Sequence, residues 1–228
     1  MNATMIATES QRKYAQLPRG FRWFSEHCVL RQIDEADAGR IWQAATHPAF
    51  VHCWTTRLPR SHGDVVDFVR CSQSDWLRGI GYTMAVIRKQ TQDFVGWVEL
   101  SAHAAERGAW MLDWFVHPRY LADEVARGVL AAAADLMFLA LHTERLYANC
   151  PPKHALFEQL LDDAGFSELI PAGSLDHTTG QPRLHTLFSL TRVDWSATTG
   201  KTELAPALPR SFSSTWTAGT LSHELALI

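Results

Sequence analysis

Carboxylates, imidazoles and thiols are the side chains that move protons or attack carbonyls near neutral pH, and this sequence places a few of them where apolar runs end. Glu99 lies at the end of the run Phe94 to Leu100, and Asp113 interrupts the run Trp110 to Val116. A carboxylate among apolar neighbours is either paired or held at a raised pKa, because burial penalises its charged form. Asp113 therefore reads as a buried anchor or as a site residue facing a cleft, and strand alternation leaves both open. Glu99 has the plain alternative of a solvent-facing strand residue. His117 stands before Pro118, and His154 opens a helical stretch; each also reads as an ordinary exposed histidine. Cys150 ends a short apolar run with no readable base to activate its thiol. His47, His52, Cys53 and His62 fit no compact zinc spacing, and no metal is expected.

The elements that must carry these residues follow from periodicity. Cys28 to Gln32 reads as a strand, and Asp34 as the cap of a helix with Ala38, Ile41, Trp42 and Ala45 on one face, ending at Pro48. Ser61, with Asp64 three residues on, resembles a capping box before a helix marked by Val65, Phe68, Val69 and Trp76 and closed near Gly79. Strands follow at Tyr82 to Arg88, Phe94 to Leu100 and Ala109 to Val116, the last stopped by His117-Pro118. From Asp123 the period is helical through Leu141. Arg145 to Cys150 is a strand, Leu156 to Ala164 a short helix capped by Gly165, and Phe166 to Ile170 with Arg183 to Arg192 a final strand pair.

Composition sets the class. The 228 residues are 46% hydrophobic and 20% charged, a globular balance, and the formal net charge of -3 comes without a Lys/Arg stripe. Nucleic acid is therefore not an expected partner. No apolar run reaches the ~18 residues of a membrane span, so no membrane partner is expected either. Nine Trp and eleven Phe fit an aromatic core better than an aromatic ligand pocket. Four scattered cysteines without a C-x-x-C pair read as reduced thiols in the cytoplasm. Residues 1–27 read as an N-terminal extension, basic enough at Arg12, Lys13 and Arg19 to leave a transit peptide open. Residues 28–195 form the domain, and 196–228, rich in Ser, Thr, Pro and Ala, a tail or extension.

The element order β-α-α-β-β-β-α-β-α-β-β resembles that of the GCN5-related N-acetyltransferase (GNAT) superfamily, an α/β (α+β) fold with a mixed, mostly antiparallel sheet flanked by helices. Local sequence agrees. Val29-Leu30-Arg31 with Asp34 and Asp37 resembles the opening motif of the branch that acetylates ribosomal-protein N-termini. Trp76 with Gly81-Tyr82, Val95-Gly96, Pro118 with Tyr120, and Leu160-Leu161 before Gly165-Phe166 follow in order, and the resemblance covers Val29 to Trp195.

The resemblance implies an N-acyltransferase in which an amine of a small molecule or peptide attacks an acyl thioester directly. Acetyl-CoA or another acyl-CoA is the implied co-substrate, and a carrier-bound acyl group is a second donor class. Glu99 falls where relatives carry a catalytic carboxylate, Asp113 is a second candidate, and His154 could replace a family Asn or protonate the leaving sulfur. In the family a Q/R-x-x-G-x-G/A loop after the strand-ending proline offers its N–H groups to the donor pyrophosphate. That maps the donor site onto Val116, Arg119, Leu121, Ala122, Ala126 and Arg127. Here Leu121 replaces the leading Gln/Arg and Glu124 the key glycine, leaving Ala126 as the match. Asp123 and Glu124 thus put two carboxylates where a dianion would sit, each costing on the order of 1 kcal/mol. A non-catalytic member, serving as a binding, regulatory or dimerisation module, is therefore the alternative, and a homodimer stays open.

Overall fold

Alternating apolar residues of eight segments pair into one twisted sheet, in a computed structural model describing residues 16–47, 59–150, 154–175 and 182–201. The strands are β1 (Arg22–Phe24), β2 (Cys28–Gln32), β3 (Gly81–Arg88), β4 (Phe94–Ala102), β5 (Ala109–Val116), β6 (Arg145–Cys150), β7 (Ser167–Leu175) and β8 (Pro182–Thr191). The helices are α1 (Ala38–Ala45), α2 (His62–Arg78), α3 (Glu124–Asp135), α4 (Ala155–Asp163) and α5 (Arg192–Thr199). Spatial order is β1-β2-β3-β4-β5-β6-β8-β7, and every neighbouring pair is antiparallel except β5 and β6. A parallel pair needs a long crossover, which α3 and the π-helical turn Leu136–Ala140 supply.

The sheet is buried on both faces. Trp110, Leu112, Trp114 and Val116 point into the larger core with α3, Phe157 of α4 and Trp195 of α5. Phe115 points the other way, with Trp97, onto Ile41 of α1 and Val65 and Val69 of α2. Among the described residues, most Trp and Phe side chains are core. Trp76 meets Tyr82 edge-on at 5.0 Å, and Tyr82 stacks on Trp110 at 5.6 Å.

Local signals set the ends. Asp34 accepts from the Ala36 N–H and Asp37 from the Asp34 N–H, a reciprocal cap before α1. Ser61 accepts from the Asp64 N–H at 3.1 Å, and Gly79 closes α2 at φ +67°, where glycine avoids the Cβ clash. Gly96 is required by contact: a Cβ there would lie 1.7 Å from the Phe115 carbonyl oxygen.

Several expectations change. Residues 16–27 of the expected N-terminal extension pack onto the domain, because β1 pairs with β2, Leu17 is buried, and Trp76 Nε1 donates to the Leu17 carbonyl. The boundary at Trp195 falls inside α5, whose cap Thr191 accepts from the Asp194 N–H. Arg192 therefore starts a helix rather than ending a strand. The final hairpin is longer than its apolar runs, since β7 and β8 extend to Leu175 and Pro182. Leu156, expected on the buried face of α4, is exposed. Pro48, His52, Cys53, Pro151 and Pro152 lie outside the described residues. Among those described, no three His, Cys, Asp or Glu converge on a metal-sized point, and no helix is long and apolar enough to cross a membrane.

Candidate active site

Glu99 and Asp113 stand directly opposite each other across β4 and β5. Directly opposed residues share a face with Cβ atoms about 4.5–5.5 Å apart, so two like charges there repel. Both side chains are half-buried and surrounded by protein. Burial pushes the Glu99 carboxyl up to about 7; the Trp97 indole N–H, donating at 2.9 Å, opposes this, and the Asp113 charge adds to it. Burial also raises the Asp113 carboxyl, against a 3.3 Å hydrogen bond from the Asn149 amide. Desolvation is the largest cause for both, and the Asp113 charge is a smaller cause for Glu99. Trp97 is two residues from Glu99 and stacked on Phe115 at 4.8 Å, so the donor is fixed by core packing.

The hydrogen bond from Asn149 to Asp113 spans a gap in the sheet. Parallel pairing of β5 with β6 runs from Ala109↔Arg145 to Leu112↔Ala148 and stops, while both strands continue. Beyond that rung, Asp113–Val116 stays paired with β4 but faces a splay on its β6 side. Trp114 lies on this stretch with its indole N–H buried and unpartnered among the described residues. Its ring packs on Phe157 at 4.5 Å, and Phe157 meets His154 at 4.5 Å. His154 therefore contacts the Trp114 side of β5, and the opposite face carries Asp113. The pair Glu99–Asp113 is brought together; these ring contacts do not join His154 to it.

The loop after β5 is closed on itself. His117, Pro118 and Tyr120 wind a 3-10 turn, in which the His117 N–H donates to the Val95 carbonyl at 2.8 Å. Burial, then the charge of Arg119, then His47 hold the His117 imidazole below its usual range, leaving Nδ1 to accept from the Arg119 N–H. The N–H groups of Tyr120, Leu121, Asp123 and Ala126 donate to loop carbonyls. The Asp123 carboxylate caps α3, accepting from the Val125 N–H at 3.2 Å, and pairs with Arg88 at 3.1 Å.

The six residues assigned to donor binding are spread around this loop. Val116, Leu121 and Ala126 are buried in the larger core, so their contribution is main chain. Arg119 donates to the Tyr120 hydroxyl with its guanidinium 4.5 Å over that ring. Ala122 is exposed, and Arg127 reaches Asp163 at 3.5 Å. Arg88 and Trp97 did not figure among the expected site residues. Trp97 was legible from its two-residue spacing to Glu99; Arg88 carries no local signal, because its partner is distant in sequence.

Residues 27–167 match the family model described as the acetyltransferase (GNAT) domain. No curated protein matches the chain by sequence. Among solved structures it is similar to the ribosomal-protein-S5-alanine acetyltransferase of Vibrio fischeri, at a TM-score of 0.65 and 18% identity, covering 77% of this chain and 98% of that one. It is similar to the spermidine N-acetyltransferase of Vibrio cholerae in complex with CoA and spermine, at a TM-score of 0.64 and 15% identity, covering 74% and 97%. RimJ of Mycobacterium smegmatis in complex with CoA-disulfide gives a TM-score of 0.60 and 16% identity over 76% and 89%.

Proposed function

This chain belongs to the GNAT acetyltransferase family, and from that premise we propose that it transfers an acyl group from a CoA thioester to an amine of a small molecule or peptide. The observation that carries the reading is the half-buried Glu99, held near pKa 7 opposite Asp113 where the β5–β6 pairing ends. A base titrating near the working pH is present in its ionised form and still strong enough to accept a proton.

In this reading ionised Glu99 takes the proton of the attacking amine. The N–C bond to the acyl carbon forms, the C–S bond breaks, and the sulfur leaves as a thiolate that must be reprotonated. His154 is the candidate for that proton, from the start of α4. Asp113, held by Asn149, adds to the upward push that burial gives the Glu99 carboxyl and acts as a positioning residue. The stretch Asp113–Val116, paired with β4 but open on its β6 side, offers main-chain N–H groups on that side to polarise the acyl carbonyl.

The two ends of the donor fit differently. The splay suits the thin acyl arm, with the Trp114 indole N–H as an unused donor beside it. The phosphate cradle fits poorly, because Asp123 already occupies the N-terminus of α3. That closed loop is the observation favouring a second reading, in which the protein binds without catalysing. The acceptor is an amine; the structural neighbours are named for an alanine of ribosomal protein S5 and for spermidine.

The test is thiol release from acetyl-CoA in the presence of an amine panel that includes a peptide N-terminus and spermidine, beside a melting-temperature shift with CoA alone. Amine-dependent thiol release that Glu99→Gln removes supports transfer. A melting shift without thiol release from any amine favours the binding module, and neither effect at about 1 mM CoA defeats both readings.

A further inference from the structure

A cavity of about 420 Å³ opens at the β1–β2 edge of the sheet, lined by Arg19 and Arg22 beside Arg31, Gln32, Asp34 and Leu77. This is the size range of small-molecule sites. Arg22 of β1 and Arg31 of β2 stand directly opposite each other. Two like charges in that register destabilise the pair unless something neutral or negative intervenes.

Arg31 is already satisfied. Its guanidinium forks onto fully buried Asp37 with two 2.7 Å bonds and reaches Asp34 at 3.4 Å. Arg40 lies 3.7 Å from the same Asp37, and Glu35 is taken by Arg70 at 3.0 Å. Asp34, Glu35 and Asp37 are thus each paired with an arginine, Arg31 serving both aspartates. Arg19 and Arg22, both exposed, have no ion-pair partner among the described residues. The cavity carries two surplus positive charges in a chain whose net charge is -3.

Backbone geometry fixes where they sit. Pro18-Arg19-Gly20-Phe21 is a tight turn closed by the Phe21 N–H on the Pro18 carbonyl, with Gly20 at φ +70°. A left-handed residue at that turn position takes glycine at little cost. The Gly20 N–H donates to Gln32 Oε1 at 3.0 Å, tying the turn to β2. Arg19 and Arg22 are thereby delivered to one cavity from either end of a braced turn.

We propose that this cavity is a second ligand site, for a small molecule carrying a phosphate monoester. Arg19 and Arg22 hold the phosphate, and the organic part lies over the exposed Leu77. Two guanidiniums match a dianion in charge and in bidentate geometry. The cavity lies two strands from Glu99, since the Ile33 N–H donates to the carbonyl of Thr83, the residue paired with Glu99. Its lining includes neither Glu99 nor the α3 loop, so phosphate binding there is read independently of acyl transfer.

Calorimetric titration of the full chain with glycerol 3-phosphate, in a phosphate-free buffer, is the test. Expected is saturable one-to-one binding with a Kd below about 1 mM. Arg22→Gln and Arg19→Gln should each weaken it about tenfold or more, with unchanged urea midpoints, since one charge-assisted bond is lost each time. Raising the salt should weaken it further. The proposal is overturned if no saturable binding occurs up to about 10 mM. It is equally overturned if both variants bind as the parent does, which would put the phosphate elsewhere, or if malate binds more tightly than the phosphate ester.

Discussion

Replacing Glu99 by Gln should make the protein more stable at alkaline pH and leave it unchanged at acid pH. The carboxyl titrates at its ordinary 4.5 when unfolded and at about 7 when folded. A folded pKa raised in this way means that the folded state binds the proton more tightly. Its stabilising effect is complete below pH 4.5 and is lost as the pH rises through 7. The two values differ enough for on the order of 3 kcal/mol between the limits. Gln resembles the protonated form, so parent and variant should agree at pH 4 and diverge by that amount at pH 9 (about 3 kcal/mol). The assay is urea unfolding of both proteins across this range. The difference between them isolates Glu99, because all other groups titrate in both. A difference that stays constant with pH would refute the buried, high-pKa carboxyl, and with it the base proposed for catalysis. In turnover, the same change should cost about 10²- to 10⁴-fold and remove the acid limb near neutrality.

Trp97→Phe deletes the 2.9 Å donor to Glu99, so the acid limb of the pH–rate profile should move to higher pH; a limb that stays put would show that the indole does not set the carboxyl. Asp123→Gly opens the α3 cap and frees Arg88, and CoA binding measured by calorimetry should tighten about tenfold. An unchanged Kd would mean that the pyrophosphate does not approach this loop. Gly96→Ala drives a Cβ to 1.7 Å from the Phe115 carbonyl oxygen. A loss of about 3 kcal/mol in urea, or failure to fold, is expected, since the atom met is backbone and cannot rotate away.

How much was legible in the sequence follows the range of the forces involved. Caps and periods act over a few residues, and Asp34, Ser61, Gly79 and Asp123 sit at the element ends where their side chains or backbone freedom act. β1 went unread because three residues with one half-buried side chain have no measurable alternation; it is held by pairing with β2. α5 was hidden for a similar reason, with Trp195 its only fully buried residue. For the site, Glu99 and Asp113 could each be named, but their opposition depends on the register of β4 on β5, which the loop between them does not encode. The partnership of Asp123 with Arg88 joins a helix cap to the end of β3, and nothing local announces it.

The closed loop decides less against catalysis than it first suggests, and magnitudes show why. An N-cap side chain contributes about 1 kcal/mol. The Arg88–Asp123 pair, with both side chains a quarter to a third exposed, adds at most about 1 kcal/mol after solvent screening. Vacating the site therefore costs about 2 kcal/mol, roughly a thirtyfold loss in donor affinity. A bound diphosphate would recover part of that, because it releases Arg88 and the Val125 N–H for its own charge-assisted bonds, each worth about 1.5–3 kcal/mol. Donor binding becomes the exchange of one anion for another at the same helix end. The expected consequence is an acyltransferase that saturates at higher donor concentration, or one that prefers a donor held mainly through its acyl arm at the β5–β6 splay. Total loss of donor binding needs more than Asp123 supplies, and the Glu99–Asp113 pair would be a costly feature to keep in a domain with nothing to deprotonate.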